Sequence, residues 1–198
     1  MATIPALLGD AEGKYRIHLV GNCGVGKSTL GRELSKILSI PYFDLDEVYW
    51  KPGWKEPSPE EFEAKIQQIR DQHSEWVIDG NYSSQEFNLV CDTSTDVIWL
   101  DPPFVLYFYR MLARTLRRIA GVAPPCSSGC DDTLGMLFSK NSIVLWCIAH
   151  HHIMRERGEA HLRLMGIHVG GKMRRIGGWG SGLIEWLEAV RQLGSKEV

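Results

Sequence analysis

The sequence predicts an α/β fold, in which a parallel sheet is covered by helices on both faces. Three observations carry this. Short apolar runs of strand length recur at 15–20 (YRIHLV), 41–45, 75–78 (EWVI) and 96–100 (DVIWL). Helical stretches separate them, and such alternation gives parallel pairing because each crossover brings the chain back in the same direction. A glycine-rich turn at 21–29 joins the first strand to the first helix.

The chain has 198 residues, 44% of them hydrophobic, which suits a single domain with its own core. The formal net charge of −2 gives no field that would favour nucleic acid. Charge is unevenly spread: seven acids and two bases lie between 44 and 63, whereas 102–130 holds four arginines and no acid. No apolar run reaches the length of a membrane span. Five cysteines, an odd count, and no apolar signal region at the start lead us to expect free thiols and a cytoplasmic location.

Each element has a local reason. Residues 1–13 read as a loose leader. Lys27–Leu38 carries Leu30, Leu34, Ile37 and Leu38 at helical spacing. Residues 48–57 (VYWKPGWKEP) read as irregular and aromatic. Ser58 can cap a helix, with Pro59 in its first turn and Glu61 completing a capping box; Phe62, Ile66 and Ile69 extend that helix to about His73. Pro102-Pro103 open a helix to about Ala120. Its expected apolar face is Val105, Phe108, Tyr109, Leu112, Leu116 and Ile119, and its other face carries Arg110, Arg114, Arg117 and Arg118. Residues 121–132 read as a loop, 134–157 as helix and 161–169 (HLRLMGIHV) as a fifth strand. Ser181 can cap a last helix at 182–193.

Gly21, Asn22, Cys23, Gly24, Val25, Gly26, Lys27 and Ser28 fit G-x-x-x-x-G-K-[ST] at every position, and Thr29 follows. Glycines allow backbone N–H groups to turn inward around phosphate oxygens, and the helix N-terminus adds partial positive charge. Lys27 would contact the β- and γ-phosphates and the Ser28 hydroxyl would ligate Mg²⁺. An apolar strand before and an amphipathic helix after are the context that this motif requires.

Magnesium takes further oxygen ligands, commonly carboxylates. The predicted strand ends offer Asp44 and Asp46, Asp79 and Asp101. Asp101 serves equally well as a turn or capping residue. Side chains alternate along an extended chain, so Asp44 and Asp46 are expected on one side. One would hold a metal-bound water while the other orients or deprotonates an acceptor hydroxyl.

With these motifs in order, the chain resembles the adenylate kinase and shikimate kinase branch of P-loop proteins. Asp44-Leu-Asp-Glu-Val-Tyr-Trp-Lys-Pro-Gly-Trp54, Trp76-Val-Ile-Asp-Gly-Asn-Tyr82 and Val97-Ile-Trp-Leu-Asp101 look more closely like adenylate-kinase-like proteins of the DNA topology modulation (FlaR-type) group. The resemblance covers roughly 15–120. It implies a P-loop fold with a five-stranded sheet in the order 2-3-1-4-5, an acceptor-binding insert at 46–75 and a small lid near 120–135. It implies that Asp79 or Asp44 lies beside the metal, that Asp46 faces the acceptor, and that Arg110 and Arg114 lie against base and phosphates. Arg114 would neutralise the migrating phosphoryl group. The sequence departs from adenylate kinases at Asn81-Tyr82-Ser83, where those proteins use an arginine against the acceptor nucleotide's phosphate. Asp46, Trp50, Trp54, Gly80, Asn81 and Tyr82 are therefore the acceptor-side candidates.

Tyr49, Trp50 and Trp54 could stack on an acceptor ring or form the insert's own small core. A structural zinc site takes four ligands, and Cys126 and Cys130 are only two local ones; His150, His151 and His152 could donate, but the expectation is no zinc. The expected activity is phosphoryl transfer from ATP with Mg²⁺ to a small-molecule or nucleotide acceptor. The alternative is an NTP-binding regulator or slow NTPase, which the basic stretch 163–175 would bring to nucleic acid.

Overall fold

The computed structural model describes residues 5–80, 84–137, 139 and 142–194. Its centre is a sheet of β1 (Arg16–Val20), β2 (Tyr42–Asp44), β3 (Trp76–Asp79), β4 (Asp96–Asp101) and β5 (Met173–Gly177). All pairings are parallel and the order is β2-β3-β1-β4-β5, as the resemblance implies. The helices are α1 (Lys27–Leu38), α2 (Leu45–Tyr49), α3 (Pro59–Gln72), α4 (Ser84–Cys91), α5 (Phe104–Ile119), α6 (Leu134–Leu137), α7 (Ile143–Met165) and α8 (Ser181–Gly194).

Strand alternation divides the core. Ile17 and Leu19 face α1, α5 and α8 with Leu34, Met111 and Val190. Val20 points the other way, toward Phe87 on α4 and Leu162 and Met165 on α7. A third cluster (Leu45, Phe62, Ile66, Trp76, Ile78 and Val90) seats α2, α3 and α4 on the sheet. Burial of each large aliphatic side chain contributes roughly 2 kcal/mol. The expected capping box at α3 forms, with Ser58 Oγ accepting from Glu61 N–H and Glu61 accepting from Ser58 N–H.

Several expectations are corrected. The described part of the leader is docked: Leu7 is 2% exposed. The N–H groups of Leu8 and Gly9 donate to the buried Asp96 carboxylate, and Trp186 Nε1–H donates to the Ala6 carbonyl. A buried carboxylate needs donors, and the leader supplies them. Residues 45–49 are helical, where an extended chain through Asp46 and an irregular stretch from 48 were expected, and α4 was not anticipated.

The buried face of α5 is Tyr107, Met111 and Thr115, flanked by Phe104 and Phe108, whereas Val105 and Tyr109 are each 70% exposed and Leu116 46%. Two apolar stripes compete on this helix. The inner one carries hydroxyls that find partners: Thr115 donates to the Met111 carbonyl, and the Tyr107 oxygen accepts from Asn22. The segment 161–169 is not a strand. α7 continues through Met165 because His161 stacks on Phe87 and Leu162 and Met165 pack inward. The fifth strand is Met173–Gly177, where two arginines mask the pattern. Among the described residues no helix is long and apolar enough to cross a membrane.

Candidate active site

The glycine-rich loop lies between β1 and α1. Gly21, Gly24 and Gly26 have φ of 142°, 78° and 103°, the region that side chains disfavour. A Cβ on Gly21 would stand 2.5 Å from the Leu100 carbonyl oxygen, and one on Gly24 2.6 Å from that of Tyr107. The loop is thus pressed onto β4 and α5. Asn22, 7% exposed, bonds the Tyr107 hydroxyl at 3.2 Å, and that hydroxyl lies 2.5 Å from His151 Nδ1 on α7. Val25 is buried and Thr29 exposed. Lys27 Nζ donates to the carbonyls of Gly21 and Asn22, each at 3.3 Å, so its charge is held over the loop. The Cys23 thiol is pulled down by a hydrogen bond from Cys147 on α7 and, more weakly, by Lys27 and Arg114.

The carboxylates gather beside this loop. Asp44 and Asp79 are direct register partners on β2 and β3. Asp79 is 1% exposed. Burial raises its pKa to about 6; Lys27 opposes the shift, and Asp44 and Asp46 add to it. Asp44 is the N-cap of α2, and its Oδ1 accepts from Asp46 N–H at 3.0 Å. The expected strand alternation of Asp44 and Asp46 therefore does not hold, because the cap turns the chain into a helix between them. Asp46 nonetheless remains within electrostatic reach of Asp79. Gly80, with φ 143°, follows, and its carbonyl accepts from His18 Nε2–H at 2.9 Å. Asn81 and Tyr82 lie outside the described residues.

Asp101 is drawn elsewhere: its carboxylate pairs with Arg175 and lies 3.5 Å from Arg155 Nε. It is thus tied to β5 and α7. Arg110 and Arg114 are exposed on α5. Arg114 acts electrostatically on Cys23, Cys126 and Asp132, so it stands between the phosphate loop and the segment after α5.

That segment is seated on the turn after α2. Ser127 Oγ–H donates to the Trp50 carbonyl, Trp54 Nε1–H to the Asp131 carbonyl, and Cys130 Sγ–H to the Lys51 carbonyl at 3.2 Å. Cys126 Sγ is 3.9 Å from Asp46 Oδ2. Trp50 stands edge-on to both Tyr49 and Trp54, at 5.0 and 5.3 Å. Among the described residues no group of three or more His, Cys, Asp or Glu is placed to hold a metal. The basic stretch is occupied internally. Lys172 donates to the Cys91 and Ser94 carbonyls, Arg174 is 8% exposed beside Asp96, and Arg175 lies over the Trp99 ring.

Sequence reasoning missed Tyr42. Its hydroxyl donates to Asp79 Oδ2 at 2.5 Å and lies 3.3 Å from Asp44 Oδ2. The signal was there, since Tyr42 precedes Asp44 by two residues on a strand and shares its face.

A parallel sheet in this order, with G-x-x-x-x-G-K-S between β1 and α1, defines a P-loop nucleotide-binding fold. The shikimate kinase family matches residues 23–79. A shikimate kinase from Dechloromonas aromatica (strain RCB) is 33% identical over 94 residues, which are 47% of this chain and 49% of that protein. The chain thus spans about half the length of the curated relative it matches. Among solved structures, TT1252 from Thermus thermophilus has a TM-score of 0.50 at 15% identity, covering 93% of this chain and 98% of that one. A shikimate kinase from Acinetobacter baumannii in complex with shikimate has a TM-score of 0.48 at 17% identity, covering 93% and 91%.

Proposed function

We propose that the protein transfers the γ-phosphoryl group of ATP to a hydroxyl of a small-molecule acceptor. The observation that carries this reading is Asp46, a carboxylate beyond the Asp44–Asp79 pair that acts on Asp79 from one side and lies 3.9 Å from Cys126 of the segment after α5 on the other. Nucleotide binding alone would not need it. The partial match to shikimate kinases supports the same reading.

Residues 21–29 hold the phosphates, with Lys27 on the β- and γ-phosphates and Arg110 and Arg114 on base and phosphates. The donor set Ser28, Asp44 and Asp79 fits Mg²⁺: all are hard oxygens, and a cation would relieve both the burial that chiefly raises Asp79 and the crowding by Asp44 and Asp46 that adds to it. When bound, the ion supplies charge neutralisation at the β- and γ-phosphate oxygens. Trp50, Trp54 and Gly80, with Asn81 and Tyr82, border the acceptor. Asp46 accepts the acceptor's hydroxyl proton as that oxygen bonds to the γ-phosphorus. The bond from phosphorus to the β,γ-bridging oxygen breaks and ADP leaves. Arg114 and Lys27 balance the charge in transit.

Residues 46–75 serve as the acceptor-binding insert and 120–135 as the lid of one domain. The free cysteines suit a reducing, cytoplasmic setting. The motifs at 44–54, 76–82 and 97–101 also make it kin to the FlaR-type group. The test is ADP release with a panel of shikimate, polyols, nucleosides and nucleotides, with Lys27→Ala as the blank. One acceptor that raises ADP release, with Asp46→Asn abolishing the rise, supports the reading. No rise across the panel overturns it.

A further inference from the structure

Asp44 and Asp79 face each other across β2 and β3, and among the described residues no arginine or lysine hydrogen-bonds either one. Two adjacent carboxylates without a shared donor would turn away from each other. Here one group holds both. The Tyr42 O–H donates to Asp79 Oδ2 at 2.5 Å, and its oxygen lies 3.3 Å from Asp44 Oδ2. Both carboxylates assigned above to Mg²⁺ therefore meet at one hydroxyl.

The ring itself is held by α1, the helix that begins with Lys27 and Ser28. A Cβ on Gly31 would run into the Tyr42 ring, so the missing side chain makes the ring's seat. The Arg32 guanidinium lies 5.7 Å from the ring centroid. The phenol is thus fixed relative to the phosphate loop as well as to both strands.

We propose that Tyr42 is a positioning residue for the metal site, orienting Asp44 and Asp79 toward the ion through its hydroxyl. This rests on the reading of Ser28, Asp44 and Asp79 as the Mg²⁺ donors. Hydrogen bonds from outer residues fix ligand orientation, and losing one costs on the order of tenfold in metal affinity. The requirement is for the hydroxyl, since the ring can be kept by phenylalanine.

The test is calorimetric titration of wild type and Tyr42→Phe with a nonhydrolysable ATP analogue, in Mg²⁺ and in EDTA. The ratio of the two dissociation constants is the metal contribution. In Tyr42→Phe the metal-free constant is expected to stay within about twofold, while the ratio falls about tenfold. Tyr42→Leu, which also lacks the hydroxyl, gives the same result should the phenylalanine variant not fold. An unchanged ratio overturns the proposal, as does an equal weakening with and without metal, which is the mark of a purely structural role. Wild type that binds the analogue with no effect of Mg²⁺ overturns the metal assignment and this inference with it. Wild type that binds no analogue at all overturns the proposed function first.

Discussion

Gly53 donates its backbone N–H to the carbonyl of Gly129 at 2.8 Å, joining the aromatic turn after α2 to the segment after α5. Gly129 has φ 72°, and a Cβ there would lie 2.9 Å from Pro52 Cβ. Gly129→Ala should therefore unseat the segment. The left-handed backbone alone costs about 1 kcal/mol. The expected result is faster proteolysis within 121–132 and a raised KM for the acceptor, with nucleotide affinity unchanged. Equal proteolysis rates would show that the contact does not hold the segment down.

The phosphate loop, α1, the capping box and four of the five strands were legible because their signals are local: glycine spacing, helical period and Ser58–Glu61. What was hidden depends on partners distant in sequence. The strand at Met173–Gly177 was masked because Arg174 is buried against Asp96 and Arg175 lies over Trp99. Tyr107 and Thr115 looked too polar for the inner face of α5 until Asn22 and the Met111 carbonyl supplied their hydrogen bonds. The candidate site divides in the same way. Lys27, Ser28 and the acids could be named from motif and strand end; the strand period put Tyr42 on the face of Asp44, but its bond to Asp79 depends on the register of β2 against β3.

Asp101 and Asp79 both end strands, yet they should respond differently. Asp101 is committed to Arg155 and Arg175, whose side chains are 47% and 33% exposed. Asp101→Asn should lower stability by only about 1 kcal/mol and leave the Mg²⁺ dependence of nucleotide binding intact. Asp79→Asn should remove most of that dependence. Urea melts and paired titrations with Mg²⁺ and EDTA separate the two, and a metal effect lost in Asp101→Asn would reverse the assignment.

Gly158 lies within α7, where replacing glycine by alanine ordinarily gains about 1 kcal/mol of helix stability. Here a Cβ would stand 2.5 Å from two atoms of the Trp99 indole. Overpacking costs typically 1–3 kcal/mol. The indole is a rigid body 3% exposed, packed in the cluster with Val20, Phe87 and Met173, so it cannot yield cheaply. The steric cost should win. Gly158→Ala is expected to lower the urea midpoint; a raised midpoint would mean that α7 can shift away from the sheet without loss.

His18 should make stability depend on pH. It is fully buried, with Nε2–H donated to the Gly80 carbonyl and Nδ1 without a partner among the described residues. Burial is the main cause that lowers its pKa to about 4. An unfolded histidine takes up a proton near pH 6.5. Between those values the unfolded chain binds more protons, so stability falls as pH drops below about 6.5 and is unaffected by this group above it. The full loss is about 3 kcal/mol near pH 4. Asp79, whose pKa is raised, works in the opposite sense as pH falls through about 6. The difference between wild type and His18→Gln isolates the histidine, since glutamine keeps an N–H donor and does not titrate. Urea unfolding from pH 4.5 to 7.5 should show a shallower acid slope in His18→Gln. Parallel slopes would mean that His18 is hydrated and titrates normally in the folded protein.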